Sequence, residues 1–131
     1  MRHVIVGASA AGMAAAEAIR KRDPTAEIVM LSDEARRPYY RPLIPYLIFG
    51  GKPESEIVRE PRLTPKRLDL LLNARAKSLD PSKHTLTLAD GSTLAYDRLL
   101  LATGASPVRP AITGLDGPGM RLPRRRAPAV L

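Results

Sequence analysis

The strongest constraint in this sequence lies within its first twelve residues, in HVIVGASAAG from His3 to Gly12. Val4, Ile5 and Val6 form a short β-branched apolar run that suits a buried strand. Gly7, Ser9 and Gly12 then fall in the frame of a Gly-x-Gly-x-x-Gly turn, and an alanine-rich stretch follows at once. Strand, glycine turn and helix in immediate succession are the opening of a dinucleotide-binding unit. Gly7 permits the tight turn, and Gly12 lets the helix lie close to the strand. The helix N-terminus turns free N–H groups and the positive end of its dipole toward a diphosphate. Ser9 occupies the second glycine position, so taken alone the frame also fits a glycine turn in any α/β protein.

The next residues extend the unit. In MAAAEAIRKR, from Met13 to Arg22, Ala15, Ala18 and Ile19 are expected on one face, with Glu17 and Lys21 as an i,i+4 pair on another. Arg20 to Arg22 suit the negative end of the dipole, and Asp23-Pro24 stops the helix. Glu27-Ile28-Val29-Met30-Leu31 reads as a buried strand, which completes a βαβ unit and predicts a parallel, Rossmann-like sheet. Ser32-Asp33-Glu34 ends that strand about twenty residues past Gly12, where a dinucleotide-binding unit places an acid for the adenosine ribose hydroxyls. Asp33 and Glu34 are both candidates, and an acidic end argues against a ligand carrying a 2′-phosphate.

Residues 35–53, ARRPYYRPLIPYLIFGGKP, alternate tyrosine, arginine and proline before an apolar Tyr46–Phe49 segment closed by two glycines. Pro38, Pro42 and Pro45 stiffen the path, and Tyr39, Tyr40 and Arg41 can present rings and a guanidinium to a ligand. A rigid surface connector ending in a short amphipathic helix fits the same residues. Residues 54–67 suggest one or two helical turns. Leu68–Leu72 reads as a third strand and Ala74–Leu79 as an extended piece ended by Asp80-Pro81. His84–Leu88 and Ser92–Tyr96 alternate around Asp90-Gly91, a hairpin signal. Arg98–Ala102 reads as another buried strand, running into Thr103-Gly104. The expected class is therefore α/β, a Rossmann-like parallel sheet with a small antiparallel hairpin or meander.

Composition removes several classes of function. The 131-residue chain has no cysteine, which excludes disulfides, thiolate metal sites and a redox-active thiol within it. Its two histidines, His3 and His84, fall in expected strands without a partner at ligand spacing, so no metal site is expected. The net charge of +8 raises nucleic-acid binding as a reading. Against it, the arginines are spread along the chain, with one local run at 124–126, and four tyrosines and one phenylalanine make a thin stacking platform. The same positive field suits an anionic cofactor. No run of about 18 apolar residues suggests a membrane span, and a strand beginning at the third residue leaves no room for a signal peptide, so a cytoplasmic location is expected.

VIVGASAAG, the Ser-Asp-Glu strand end, PYYRPLIPY and YDRLLLATGASP together resemble the FAD-binding half of the pyridine nucleotide-disulfide oxidoreductase superfamily. The similarity runs from residue 3 to about residue 117, and the nearest branches are the ferredoxin and rubredoxin reductases and the flavin domain of NAD(P)H nitrite reductases. The resemblance implies that Gly7, Ser9, Ala11 and Gly12 surround the diphosphate of FAD. It implies that Asp33 or Glu34 binds the adenosine ribose and that Arg41 and Pro42 lie near the flavin and its phosphates. Ala76 would offer backbone to adenine, and Ala102, Thr103 and Gly104 would pass close to the cofactor. No side chain is implied as a catalytic acid or base.

Two departures from the resembled pattern shape the expected function. Where the NADH oxidase and coenzyme A-disulfide reductase branch carries a redox cysteine, this chain has Pro42, which favours electron relay from FAD to a protein or metal-centre acceptor. Members of the superfamily also continue into an NAD(P)H-binding domain, whereas Met120 onward reads RLPRRRAPAVL. The expected organisation is a partial FAD-binding domain over 1–115 and a Pro/Arg-rich tail, or truncated linker, over 116–131. On that reading NAD(P)H is the co-substrate of the intact protein, and the chain alone has little turnover. A non-catalytic module holding FAD, NAD or ADP through the first βαβ unit is the alternative.

Overall fold

The structure is a computed structural model that describes residues 1–59, 68–105 and 111–113. The arginine run at 124–126, the segment 116–131 and residues 60–67 of the expected helical turns lie outside the described residues. Two sheets organise the rest. Strands β1 (Arg2–Val6), β2 (Glu27–Leu31), β3 (Leu68–Leu71) and β7 (Arg98–Leu101) form a parallel sheet in the order β3-β2-β1-β7. Val4 lies level with Val29 on one side and Leu99 on the other. Strands β4 (Ala76–Asp80), β5 (Thr85–Leu88) and β6 (Thr93–Ala95) form an antiparallel meander. Helix α1 (Ala10–Arg22) joins β1 to β2, so the βαβ opening and the parallel pairing are as the sequence leads one to expect.

The period-two alternation of side chains divides the core between the two faces of the parallel sheet. Val4, Val6, Val29 and Leu31 pack with Leu86 and Leu88 of the meander. Ile5, Ile28 and Met30 pack with Met13 and Ala16 of α1 and with Ala26. The largest of the side chains nearly sealed from water include Ile5, Met30 and Leu31. Full burial of an aliphatic side chain of this size contributes roughly 1.5–3 kcal/mol, and the central strands β1 and β2 carry most of it.

Helix α1 differs in one respect from the periodicity expected for it. Its buried residues are Gly12, Met13 and Ala16, while Ala18 is exposed and Ala15 and Ile19 are half-buried. The contact is displaced toward the N-terminal end because Gly12 brings the first turn close to the sheet, and Met13 fills the space beside it. Glu17 faces Arg59, whose Nη2 lies 3.6 Å away. The helix stops where expected. Asp23 is the C-cap residue, its N–H donating to the Ile19 carbonyl at 2.8 Å, and Arg20 Nη1 donates to the Ala26 carbonyl at 2.7 Å.

Three further expectations need adjustment. β3 ends at Leu71, and Leu72-Asn73 form a turn with Asn73 at φ 55°, so β4 begins at Ala76 rather than Ala74. His84 is not in a strand; it sits at φ 51° in the turn before β5, stacked on Tyr96 at 5.3 Å between ring centroids. β7 is not buried: Leu100 and Leu101 are 39% and 59% exposed, because β7 is an edge strand of the described sheet. The Asp90-Gly91 turn is as read, with Gly91 at φ 89° and the Asp90 carboxylate accepting from the Ser92 N–H and hydroxyl.

The closest packing in the fold is backbone on backbone. A Cβ added at Gly12 would lie 1.9 Å from the Gly7 carbonyl oxygen. Gly12→Ala must therefore push α1 off the strand and is expected to destabilise the chain by about 1–3 kcal/mol. Thermal melting followed by circular dichroism checks this, and the control Ala18→Gly, on the exposed face, should cost no more than about 1 kcal/mol.

Candidate functional site

The C-terminal ends of the parallel strands meet the N-terminus of α1, and a cleft of about 200 Å³ opens there. This is where ligands bind in open α/β sheets, since the turns leaving the strands supply free backbone groups. One wall is the turn Gly7-Ala8-Ser9. Gly7 adopts φ +114°, and a Cβ on it would fall 2.2 Å from the Ala102 carbonyl oxygen. Both the conformation and the space therefore demand glycine. The Gly7 N–H donates to the Leu31 carbonyl at 2.9 Å, and the Ala102 N–H donates to the Val6 carbonyl at 2.8 Å. These bonds lock the ends of β1, β2 and β7 together around the turn.

Ser9 is the N-cap of α1. Its backbone is extended, its carbonyl accepts from the Met13 N–H at 2.9 Å, and its hydroxyl makes no capping bond. The N–H groups of the first turn have no partner in the helix by construction. No acidic side chain occupies that turn, so its positive end stays uncompensated by the helix itself.

The second wall follows β2. Ser32 is buried, and its Oγ accepts from the Glu34 N–H at 3.2 Å. The Ser32 carbonyl accepts from Ala74 and the Glu34 carbonyl from Asn73, at 2.8 and 3.1 Å. The left-handed turn at Asn73 thus fixes the backbone that carries both acids. Their side chains differ in company. Glu34 Oε1 accepts from Arg41 Nη2 at 2.6 Å, whereas the Asp33 side chain is exposed at the cleft and makes no hydrogen bond among the described residues.

The third wall is the segment from Arg36 to Arg41, and it is pinned from behind. Tyr39 bridges Val58, the Tyr40 N–H donates to the Ile57 carbonyl at 2.8 Å, and the Arg59 N–H donates to the Pro38 carbonyl at 2.7 Å. Arg36 pairs with Glu54. Arg41 opens a 3₁₀ turn (Arg41–Leu43) with Pro42 as its second residue, and α2 (Ile44–Phe49) follows. The Arg41 guanidinium also lies over the Tyr39 ring, 5.4 Å from its centroid. Burial pushes the Tyr39 phenol above its ordinary range, and the Glu34 carboxylate adds to the shift while Arg41 and Arg36 oppose it. Its hydroxyl oxygen is sealed from water and lacks a hydrogen bond of good geometry, so its proximity to Glu34 is electrostatic rather than a formed bond.

Of the residues expected at the site, Gly7, Ser9, Asp33, Glu34, Arg41, Ala102, Thr103 and Gly104 line this one cleft. Ala11 and Gly12 lie just behind it in the first turn of α1, with Gly12 buried. Pro42 and Ala76 lie outside the lining, Ala76 being half-buried against the sheet as part of the meander. The cleft also takes in Ala8, Ser32, Arg36, Arg37, Pro38 and Ala105, which sequence reasoning passed over. Arg36 and Arg37 are legible as a basic pair one residue past the acids. Ser32 is not, because its role is a local hydrogen bond.

The sequence model described as pyridine nucleotide-disulphide oxidoreductase matches residues 1–125. The chain is 36% identical over 117 residues to the NADH-dependent phenylglyoxylate dehydrogenase subunit epsilon of Aromatoleum evansii, covering 88% of this chain and 28% of that protein. It is 36% identical over 118 residues to the biphenyl dioxygenase system ferredoxin–NAD(+) reductase component of Paraburkholderia xenovorans, covering 88% and 29%. Among solved structures, an NAD-dependent persulfide reductase from A. fulgidus superposes with a TM-score of 0.76 at 31% identity, over 91% of this chain and 24% of that one. The reductase–putidaredoxin complex of putidaredoxin reductase gives 0.75 at 27% identity, over 88% and 28%. The chain thus spans less than a third of the length of the relatives it matches.

The Tyr39 phenol gives the site a spectroscopic handle. Because its proton is held more tightly in the folded chain, the associated stability is complete below about pH 10 and is lost as pH rises further. An alkaline titration of tyrosinate absorbance should show one phenol ionising later than the rest. Tyr39→Phe should remove that late component.

Proposed function

The chain belongs to the pyridine nucleotide-disulphide oxidoreductase family, and from this we propose that it forms the FAD-binding portion of an NAD(P)H-dependent flavoprotein that passes electrons to a protein or metal-centre acceptor. FAD, with NAD(P)H as co-substrate, is the cofactor of the family. The observation that carries the reading is the convergence of the Gly7 turn, the acidic end of β2 and Ala102–Gly104 on one cleft at the strand ends. The residues fit the group. Gly7 and Gly12 let the turn after β1 and the first turn of α1 pack backbone on backbone, and that first turn supplies uncommitted N–H donors for a diphosphate.

In this reading Ser9 and the amides of Ala10 and Ala11 bind phosphate oxygens. Asp33 accepts hydrogen bonds from the adenosine ribose hydroxyls, since the Glu34 carboxylate is already committed to Arg41. Gly104, at φ +71°, lets the chain leave β7 close to the ligand without a side chain in the way. The flavin supplies the redox chemistry when bound, and the protein contributes position and electrostatics. With no cysteine in the chain, no thiol of this chain takes part.

A cleft of about 200 Å³ is smaller than the usual drug-sized pocket of about 300–1,000 Å³. That favours a second reading in which the chain by itself holds the ADP half of the cofactor and performs no turnover. Ferredoxin and nicotinamide nucleotides appear in the names of the relatives, and for this chain both are proposed partners of a longer assembly.

Titration with FAD and with ADP separates the two readings. Flavin fluorescence quenching with affinity well above that for ADP supports the flavoprotein. Equal affinity for both supports the ADP-holding module. Asp33→Asn should weaken both ligands by roughly tenfold, the cost of one charge-assisted hydrogen bond. A purified protein that binds neither would overturn both readings.

A further inference from the structure

The two adjacent acids at the end of β2 are not equivalent, and the difference concerns Arg41. Glu34 is fixed along its backbone: its N–H donates to Ser32 Oγ at 3.2 Å and its carbonyl accepts from the Asn73 N–H at 3.1 Å. Its side chain is 22% exposed and holds Arg41 Nη2 at 2.6 Å, while the Tyr39 ring supports the same guanidinium at 5.4 Å. Tyr39 is itself pinned by its bridge to Val58. Carboxylate, ring and cleft-lining position together fix one arginine in the same cleft as the Gly7 turn.

We infer that Glu34 is a positioning residue, which with Tyr39 holds the Arg41 guanidinium in place to receive an anionic group of the bound nucleotide, and that it does not itself bind the ribose. The inference rests on the dinucleotide reading above and assigns separate work to Asp33 and Glu34. Two opposing effects decide whether the arrangement helps binding. Glu34 places a negative charge near an anionic ligand, but that charge is neutralised at contact distance by Arg41, so its repulsion at the ligand is small. Immobilising a free arginine on binding costs about 0.5–1.5 kcal/mol, and Glu34 and Tyr39 have met that cost before the ligand arrives. Pre-organisation therefore prevails. Tyr39, its hydroxyl sealed and without a formed hydrogen bond, contributes through its ring.

A double-mutant cycle on the full chain tests this, with FAD and ADP as the probes. Glu34→Gln should weaken both by about two- to tenfold, the equivalent of ordering one arginine side chain. Arg41→Met should weaken them by at least as much, and Glu34→Gln combined with Arg41→Met should be no weaker than Arg41→Met alone. Circular dichroism melting of each variant separates loss of fold from loss of binding. Tyr39→Leu, which removes the ring beside the guanidinium, should weaken both ligands by no more than Arg41→Met does.

Additive losses in the double variant would show that Glu34 contacts the ligand directly and would overturn the inference. Tighter binding by Glu34→Gln would show that repulsion prevails and would overturn it too. If the unaltered chain binds neither FAD nor ADP, the dinucleotide reading fails and the inference fails with it. Binding that survives with an additive cycle leaves that reading standing and removes only the role given to Glu34.

Discussion

Three backbone segments meet at distances that tolerate no side chain: the turn after β1, the first turn of α1 and the exit from β7. The Gly7 carbonyl lies where a Cβ on Gly12 would be, and the Ala102 carbonyl lies where a Cβ on Gly7 would be. Everything that makes the site follows from this contact. It sets the angle at which α1 leaves the sheet, it brings the strand ends together, and it leaves the amides of the first helical turn facing open space. A methyl group at either glycine acts on the fold and on the cleft at once, because the same atoms belong to both.

The sheet supports this contact from both faces. Alternation along β1 and β2 sends Val4, Val6, Val29 and Leu31 toward the meander and Ile5, Ile28 and Met30 toward α1. The meander is thus a structural counterpart to the helix, although it lies on the other side of the sheet. Its turn at Asn73 reaches back to hold Ser32 and Glu34, so a segment far along the chain sets the backbone that presents the acids. The stitch between residues 38–40 and 57–59 does the same for Tyr39 and Arg41.

Much of this architecture was legible in the sequence, because the βαβ unit is encoded locally. Val4-Ile5-Val6, the glycine frame and the buried Glu27–Leu31 run each carry their own signal within a few residues. The Asp90-Gly91 turn is likewise local. The errors share a different cause. Periodicity puts Ala18 on the buried face of α1, because it does not show that Gly12 draws the contact toward the helix start. Arg98–Ala102 reads as a buried strand because apolar runs do not declare whether a neighbouring strand covers them. Alternation puts His84 in a strand, whereas it adopts a left-handed turn that stacks its ring on Tyr96. At the site, Asp33 and Glu34 differ because Glu34 meets Arg41, a partner seven residues away in a loop, which no local pattern contains.

The exposure of β7 bears on how the molecule behaves in company. Its outer edge, among the described residues, carries backbone donors and acceptors without a neighbouring strand, flanked by the apolar Leu100 and Leu101. Such an edge is a template on which another extended chain can add. What opposes this is the net charge of +8, which keeps copies apart over about a Debye length, about 10 Å at 0.1 M salt. The colloidal behaviour of the chain is therefore set by the balance between a short-range apolar edge and a longer-range cationic field. Salt shifts that balance toward association, as does any polyanion that neutralises the arginines.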